Sequence, residues 1–253
     1  MNIQSFNIPS QCLKRDVPVN IVLPETPSGK WLLLLHGYSG DKDEWLIKSP
    51  VADFVDKYGI TLILPSCGDG YYEDTQEPMG HFLGEELPLF VSKHFSLSGC
   101  RKDTYICGVS MGGFGALLIG SRYSNVYGKI ASFGGAFIIH DIAIGNPGVL
   151  GNADVNYFRQ VFGDFLTLEG SERDPLTQAK HATEEDRMSP VCLICGTADV
   201  LHRSNQKIYA ELRYVGSTIK LISIERGKHD WITWNSYIES VLQWMQRTEH
   251  LNQ

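Results

Sequence analysis

The sequence lacks any apolar run long enough to cross a bilayer. Its most hydrophobic stretch is "WLLLLHG", residues 31–37, whereas a spanning helix needs about 20 apolar residues. It also lacks an excess of positive charge: 22 basic residues stand against 29 acidic ones, for a formal net charge of -7. Such a chain carries no electrostatic footprint for nucleic acid or an anionic membrane surface. Runs of five or more like charges are absent. The short clusters "EED" at 184–186 and "GEEL" at 84–87 read as solvated helix faces. The start, "MNIQSFNIPSQCLKRD", has no basic segment followed by an apolar one, so no secretory leader is expected and the protein is expected to be soluble and cytoplasmic.

Cysteine is sparse, with six in 253 residues, which argues against a disulfide framework of the small secreted kind. A zinc ribbon would need two C-x-x-C pairs, and only one is present, Cys192 with Cys195. It lies in "VCLICG", which reads as a buried strand. Residues three apart on a strand point to opposite faces, so both thiols are expected to pack as small apolar groups. No metal and no organic cofactor is implied. Internal repeats, low-complexity tracts and linkers are also missing, and residues 1–253 read as a single domain.

What is present is alternation. Short runs rich in apolar and β-branched residues, bounded by Gly, Pro and Ser, read as strands: "PVNIVLP", "WLLLLHG", "ITLILPS", "TYICG", "KIASFGG", "VCLICG" and "TIKLISI". Several are apolar on both faces, as parallel strands covered on two sides are. Helical spacing runs through "FLGEELPLFVSKHF" (despite Pro88), "FGALLIGSRY", "SNQKIYAELRYVG" and "WITWNSYIESVLQWMQRT". The fold class expected is α/β, a doubly wound, mostly parallel sheet with helices on both faces. The first strands follow one another without a helix and are expected to pair antiparallel. From about 135 to 190 no strand is expected. "NADVNYFRQVFGDF" and "DPLTQAKHATEEDRM" read there as short helices, a small lid-like insertion.

One strand-to-helix junction is crowded with glycine. "CGVSMGGFG" begins at Cys107, and Gly108-Val109-Ser110-Met111-Gly112 fits G-x-S-x-G. A serine on so sharp a turn has its hydroxyl pushed out above the sheet, and side chains two before and two after it would collide. The helix N-terminus beneath it favours a developing oxyanion. A serine hydroxyl needs a base to act as a nucleophile. His229 lies in the loop after the last strand, "TIKLISIERGKHDW", and Asp199 just past the strand before it, "VCLICGTADVLH". That is the chain order Ser, Asp, His.

His202, also close to Asp199, is the weaker candidate base, because it falls on the following helix. Asp230 reads as a helix N-cap, and His140 and His181 as surface residues. For the oxyanion, one donor is the amide of Met111. The other is the amide of Tyr38 in "HGYSGDKDEW", with Ser39 as the alternative. His36 reads as structural, satisfying loop carbonyls. Substrate-pocket candidates are Trp45, Tyr71, Tyr72 and Trp231, with the insertion; the two tyrosines read equally well as ordinary surface residues.

With these residues in place the sequence resembles the α/β-hydrolase superfamily, and within it the esterase D and tributyrin esterase group of small carboxylesterases. The matching pieces are "LLLLHGYSGDKDEW", "LPSCGDGYYED", "EELPLFV", "GVSMGGFGAL", "YFRQVFGDF", "CGTADVL" and "GKHDW", in family order along most of the chain. The resemblance implies an α/β-hydrolase fold and a serine esterase acting on small-molecule, short-chain acyl esters without cofactor. It also implies catalytic roles for Ser110, Asp199 and His229, and a homo-oligomer. S-formylglutathione hydrolases of the group usually follow the elbow with Gly-His, where this chain has Gly113-Phe114. They also carry a longer segment after the oxyanion strand. Acyltransferase, thioesterase and carbohydrate-ester (acetyl or feruloyl) activities use the same machinery and remain alternatives, as does a non-catalytic ligand-binding role.

Overall fold

Alternating residues of the central strands divide the apolar core in two. In β3 (Trp31–Leu35), Leu33 and Leu35 face one hydrophobic cluster while Leu32 and Leu34 face another. The same split runs through β4 (Thr61–Pro65), β5 (Thr104–Val109), β6 (Lys129–Phe133) and β7 (Val191–Gly196). A sheet buried on both faces needs helices on both, and the strands are apolar throughout for that reason. In this computed structural model, which describes residues 1–144 and 155–247, eight strands follow the order β1-β2-β4-β3-β5-β6-β7-β8. The others are β1 (Asn2–Ser10), β2 (Arg15–Leu23) and β8 (Ile219–Ile224). From β4 to β8 all pairs are parallel, and β1 and β2 join antiparallel.

Seven strands sit where the sequence places them. The eighth, β1, is an edge strand that mixes polar and apolar residues on both faces, so its pattern carries little apolar signal. The antiparallel pair expected of the first two predicted strands, β2 and β3, does not form: β4 lies between them, and β2 pairs antiparallel with β4 and β1 instead.

Among the described residues, eleven α-helical segments surround the sheet. They are α1 (Glu44–Lys48), α2 (Val55–Tyr58), α3 (Met79–His81), α4 (Leu87–Phe95), α5 (Met111–Arg122), α6 (Ile139–Ala143), α7 (Val155–Phe162), α8 (Pro175–Glu184), α9 (His202–Tyr214), α10 (Trp231–Asn235) and α11 (Ile238–Gln246). The long helix expected across Pro88 forms, but a π turn at Phe82–Glu86 precedes α4 and gives the proline ring room. Glu86 is not a solvated face. Its carboxylate accepts from Ser10 Oγ and Gln11 N–H, both at 2.6 Å, fixing the β1–β2 turn.

The final helix is broken after Asn235, where Ser236 Oγ bonds back to the Thr233 carbonyl at 2.7 Å. Its stripe of Trp234, Ile238, Val241, Leu242 and Met245 is nonetheless buried. Between β6 and β7 lie α6, α7 and α8, with no strand among the described residues. Asn152–Asp154, expected at the start of the first insertion helix, fall outside them. Cys192 and Cys195 are buried and unpaired. Among the described residues, no helix is long and apolar enough to cross a membrane.

Candidate active site

Ser110 follows β5 directly and precedes α5. Its backbone sits at φ 53°, ψ -116°, a region that a non-glycine residue enters only under strain. The strain is held by hydrogen bonds: Ser110 N–H donates to the Phe133 carbonyl at 2.8 Å, and its own carbonyl accepts from Gly113 and Ala136. The turn leaves no space at the flanking positions. A Cβ on Gly108 would lie 2.1 Å from the Gly112 carbonyl oxygen, and one on Gly112 would lie 2.3 Å from that of Leu35.

Three loops at the carboxyl ends of parallel strands meet here. The hydroxyl of Ser110 is 2.9 Å from His229 Nε2. On the other side of the ring, His229 Nδ1 is 2.8 Å from Asp199 Oδ2. Asp199 is buried, and its Oδ1 accepts the Leu201 N–H at 2.8 Å. The carboxylate accepts from Nδ1–H, which leaves the Nε2 lone pair to accept from the serine hydroxyl. Trp234 packs edge-on against the imidazole, with centroids 5.0 Å apart. Asp230 caps α10 through Thr233 N–H at 2.8 Å. His202 points elsewhere, to Ser223 Oγ, and exposed His140 pairs with Glu169.

Met111 opens α5, so its amide belongs to the first turn, whose N–H groups have no partner within the helix. The loop after β3 approaches from the other side. A Cβ on Gly37 would lie 3.7 Å from Ser110 Cβ, and Tyr38 is the next residue. Among the described residues, the Tyr38 amide donates to no backbone or side-chain acceptor. His36 is structural: its Nε2 accepts the Cys67 N–H at 3.0 Å, and Nδ1 donates to the Gly37 carbonyl at 2.8 Å. An amide can only donate, so this contact fixes the neutral tautomer.

The expected pocket residues divide. Trp45 is 1% exposed, with its indole N–H on the Leu35 carbonyl at 3.0 Å. Tyr72, 2% exposed, donates to the His36 carbonyl at 2.7 Å. Tyr71, 5% exposed, is ringed by Phe114, Phe158 and Phe162. These three belong to the core instead of an open wall, because each ring is enclosed by packing. Both tyrosines hold positive φ, 55° and 62°, and that enclosure keeps them there. Only Trp231 is half-buried, edge-on to Trp45 with centroids 5.0 Å apart.

Sequence reasoning missed Glu44 and Asp69, whose carboxylates accept from the Gly37 and Ser39 amides, each at 2.7 Å. It also missed Asn205, which ties α9 to the Gly135 carbonyl at 2.8 Å. Glu44 and Asp69 lie inside the quoted family pieces, but nothing in those pieces says which backbone amides their carboxylates meet, and Asn205 acts through a contact 70 residues away. Among the described residues, no group of three or more His, Cys, Asp or Glu is arranged to hold a metal ion.

The comparisons with known proteins fit this geometry. An acetyl esterase of Caldicellulosiruptor saccharolyticus is 32% identical, and the alignment covers 98% of this chain and 99% of the relative. Two solved structures share the fold at 22% identity. The fluorophosphonate-binding serine hydrolase F of Staphylococcus aureus superposes with a TM-score of 0.86 over 98% of this chain and 99% of the other. An S-formylglutathione hydrolase of the same organism gives 0.84 over 96% and 98%. Residues 10–245 match the model of the Esterase family, described as "Putative esterase". This chain belongs to that family and is an ester-hydrolysing enzyme with an α/β-hydrolase fold.

Proposed function

We propose that Ser110 is the nucleophile, His229 the general base and Asp199 the acid that orients it, and that the enzyme cleaves short-chain acyl esters such as acetyl esters. The observation that carries this reading is the unbroken chain from Ser110 Oγ through His229 to buried Asp199, on a strained strand-to-helix turn. The short acyl group is supported by the relationship to the acetyl esterase. Six unpaired cysteines support a reducing, cytoplasmic location.

Ser110 Oγ attacks the ester carbonyl as His229 Nε2 takes its proton. The amides of Met111 and Tyr38 receive the tetrahedral oxyanion. The alcohol departs with the proton from His229, leaving an acyl-serine. Water, deprotonated by the same imidazole, then releases the acid. Asp199 holds the ring in the required tautomer and stabilises the imidazolium.

Ser110→Ala is expected to fold normally and to lose about 10⁴-fold or more of p-nitrophenyl acetate hydrolysis. Intact mass after fluorophosphonate treatment should show one adduct, absent from that variant. Retained turnover or retained labelling would overturn the assignment. An acyl-chain-length series from acetate upward tests the substrate class, with the largest kcat/KM expected at the short end. Added alcohols should yield no acylated product in excess of hydrolysis, which separates a hydrolase from an acyltransferase.

A further inference from the structure

Three successive amides in the loop after β3 have different fates. Gly37 N–H donates to Glu44 Oε2 at 2.7 Å. Ser39 N–H donates to Asp69 Oδ1 at 2.7 Å. Between them the Tyr38 N–H has no acceptor among the described residues. The loop is not relaxed: Ser39 sits at φ 58°, in the left-handed region. Its turn closes by Gly40 N–H on the Gly37 carbonyl at 3.0 Å. Glu44 reaches in across Gly40, where a Cβ would lie 2.6 Å from Oε2. Its other oxygen holds Lys48 at 3.0 Å.

Asp69 is itself held by the insertion. The Tyr157 hydroxyl of α7 donates to the Asp69 carbonyl, and the Tyr157 ring stacks edge-on against Tyr38 with centroids 5.2 Å apart. One insertion residue therefore touches the loop directly through its ring and indirectly through Asp69.

We infer that Asp69 and Glu44 are positioning residues that clamp the loop on either side of Tyr38, aiming its amide at the oxyanion, and that Tyr157 couples the insertion to this clamp. The inference rests on the nucleophile and oxyanion assignments proposed above. A charged acceptor on a neighbouring amide fixes the peptide plane more firmly than a neutral one. An oxyanion donor contributes only if it is aimed before the charge develops. The two carboxylates take the flanking amides out of competition, and the middle one is left for the substrate.

The test uses three variants, a substrate and an inhibitor that mimics the tetrahedral state. A trifluoromethyl ketone adds Ser110 Oγ to its carbonyl and places the resulting oxyanion in the hole, whereas KM is read with p-nitrophenyl acetate. Asp69→Ala is expected to lower kcat by about 10- to 100-fold, less than the loss of a whole donor. KM should stay within about twofold, and the ketone should weaken by the same factor as kcat. Asp69→Asn keeps an oxygen acceptor for Ser39 N–H and should recover most of the loss. Tyr157→Phe keeps the ring on Tyr38 and removes only the hydroxyl, with about a 3- to 10-fold fall in kcat expected.

Unchanged kcat and ketone affinity in Asp69→Ala would overturn the clamp, as would equal losses in Asp69→Asn and Asp69→Ala. Should Asp69→Ala fail to fold, Asp69→Asn and Tyr157→Phe decide: a full loss in the first or no change in the second sinks the inference. Fluorophosphonate labelling separates this failure from failure of the nucleophile reading. Normal labelling of Ser110 with an unaltered Asp69→Ala overturns only the clamp, whereas labelling at another residue overturns the nucleophile.

Discussion

The two sides of the site are built differently. On one, Ser110, Asp199 and His229 stand within five residues of the ends of β5, β7 and β8, so the register of a buried parallel sheet sets their spacing. On the other, the stretch from 66 to 77 and the insertion are joined by contacts between residues far apart in sequence. Arg122 pairs with Asp74 at 2.6 Å and donates to the Glu172 carbonyl at 2.8 Å. Arg173 donates to Thr75 Oγ1 at 2.8 Å, and Gln76 to the Gln160 carbonyl at 2.9 Å. The strand-end side needs only local geometry to be correct. The insertion side exists only once the chain has closed on itself, and it encloses residues that an open pocket would have exposed.

The largest effect that would test this division falls on the strand-end side. Asp199→Asn keeps an oxygen for the Leu201 N–H, so the loop should hold its shape and the melting temperature should change little. The amide cannot enforce the Nδ1–H tautomer, and kcat is expected to fall about 10⁴-fold. Stopped assays of ester hydrolysis beside thermal unfolding of the same preparation check both halves of the statement. A loss below tenfold would mean that the acid of this side is not the one that orients His229.

The same division explains what the sequence discloses. Gly108 and Gly112 are readable because only glycine fits two residues from Ser110, and Asp199 and His229 because chain order in this fold restricts where an acid and a base can stand. The sheet is readable because strands buried on two faces are apolar throughout. β1 is not, since an edge strand with one solvated face needs few apolar residues. Trp45, Tyr71 and Tyr72 are aromatic whether they line a pocket or fill a core, and only the enclosing residues, such as Phe158 and Phe162 of α7, distinguish the two. Glu44, at the start of α1, and Asp69, in the loop after β4, are ordinary acids until the amides they accept from are known.

A smaller effect belongs to the insertion side. Glu73 is walled in where the two long segments meet: its side chain is 1% exposed, with Arg173 3.8 Å away, and neither carboxylate oxygen has a hydrogen-bond partner. Burial raises its pKa from 4.5 to about 7, against the pull of Arg173. A carboxyl whose folded-state pKa is raised supports the fold most below the unfolded value. That support is lost as pH rises from about 4.5 through about 7. Glu73→Gln cannot ionise, so the variant should gain relative to the parent as pH rises from 5 to 8, with a gain on the order of 1–3 kcal/mol at the upper end. Melting temperatures across that range should diverge by a few degrees, while kcat at each pH stays nearly parallel. A constant difference at every pH would mean that Glu73 titrates normally. A shifted kcat profile would tie this side to the proton transfers of the other.

The smallest effect is expected where the two sides touch. Tyr38 is 50% exposed, and its ring rests on Tyr157. If its backbone N–H is what serves the oxyanion, the phenol hydroxyl is dispensable, because Phe presents the same amide and a ring of nearly the same shape. Tyr38→Phe should therefore leave kcat and KM within about twofold, since a solvated hydroxyl without a buried partner contributes little net energy. Tyr38→Ala removes the ring that meets Tyr157 and should cost more than Tyr38→Phe, because the insertion then loses one of its two holds on the loop. That ordering depends on the amide being the donor. A tenfold fall in kcat for Tyr38→Phe, with KM unchanged, would move the oxyanion contact from the backbone to the side chain, and the loop's contribution would then depend on which residue stands at 38.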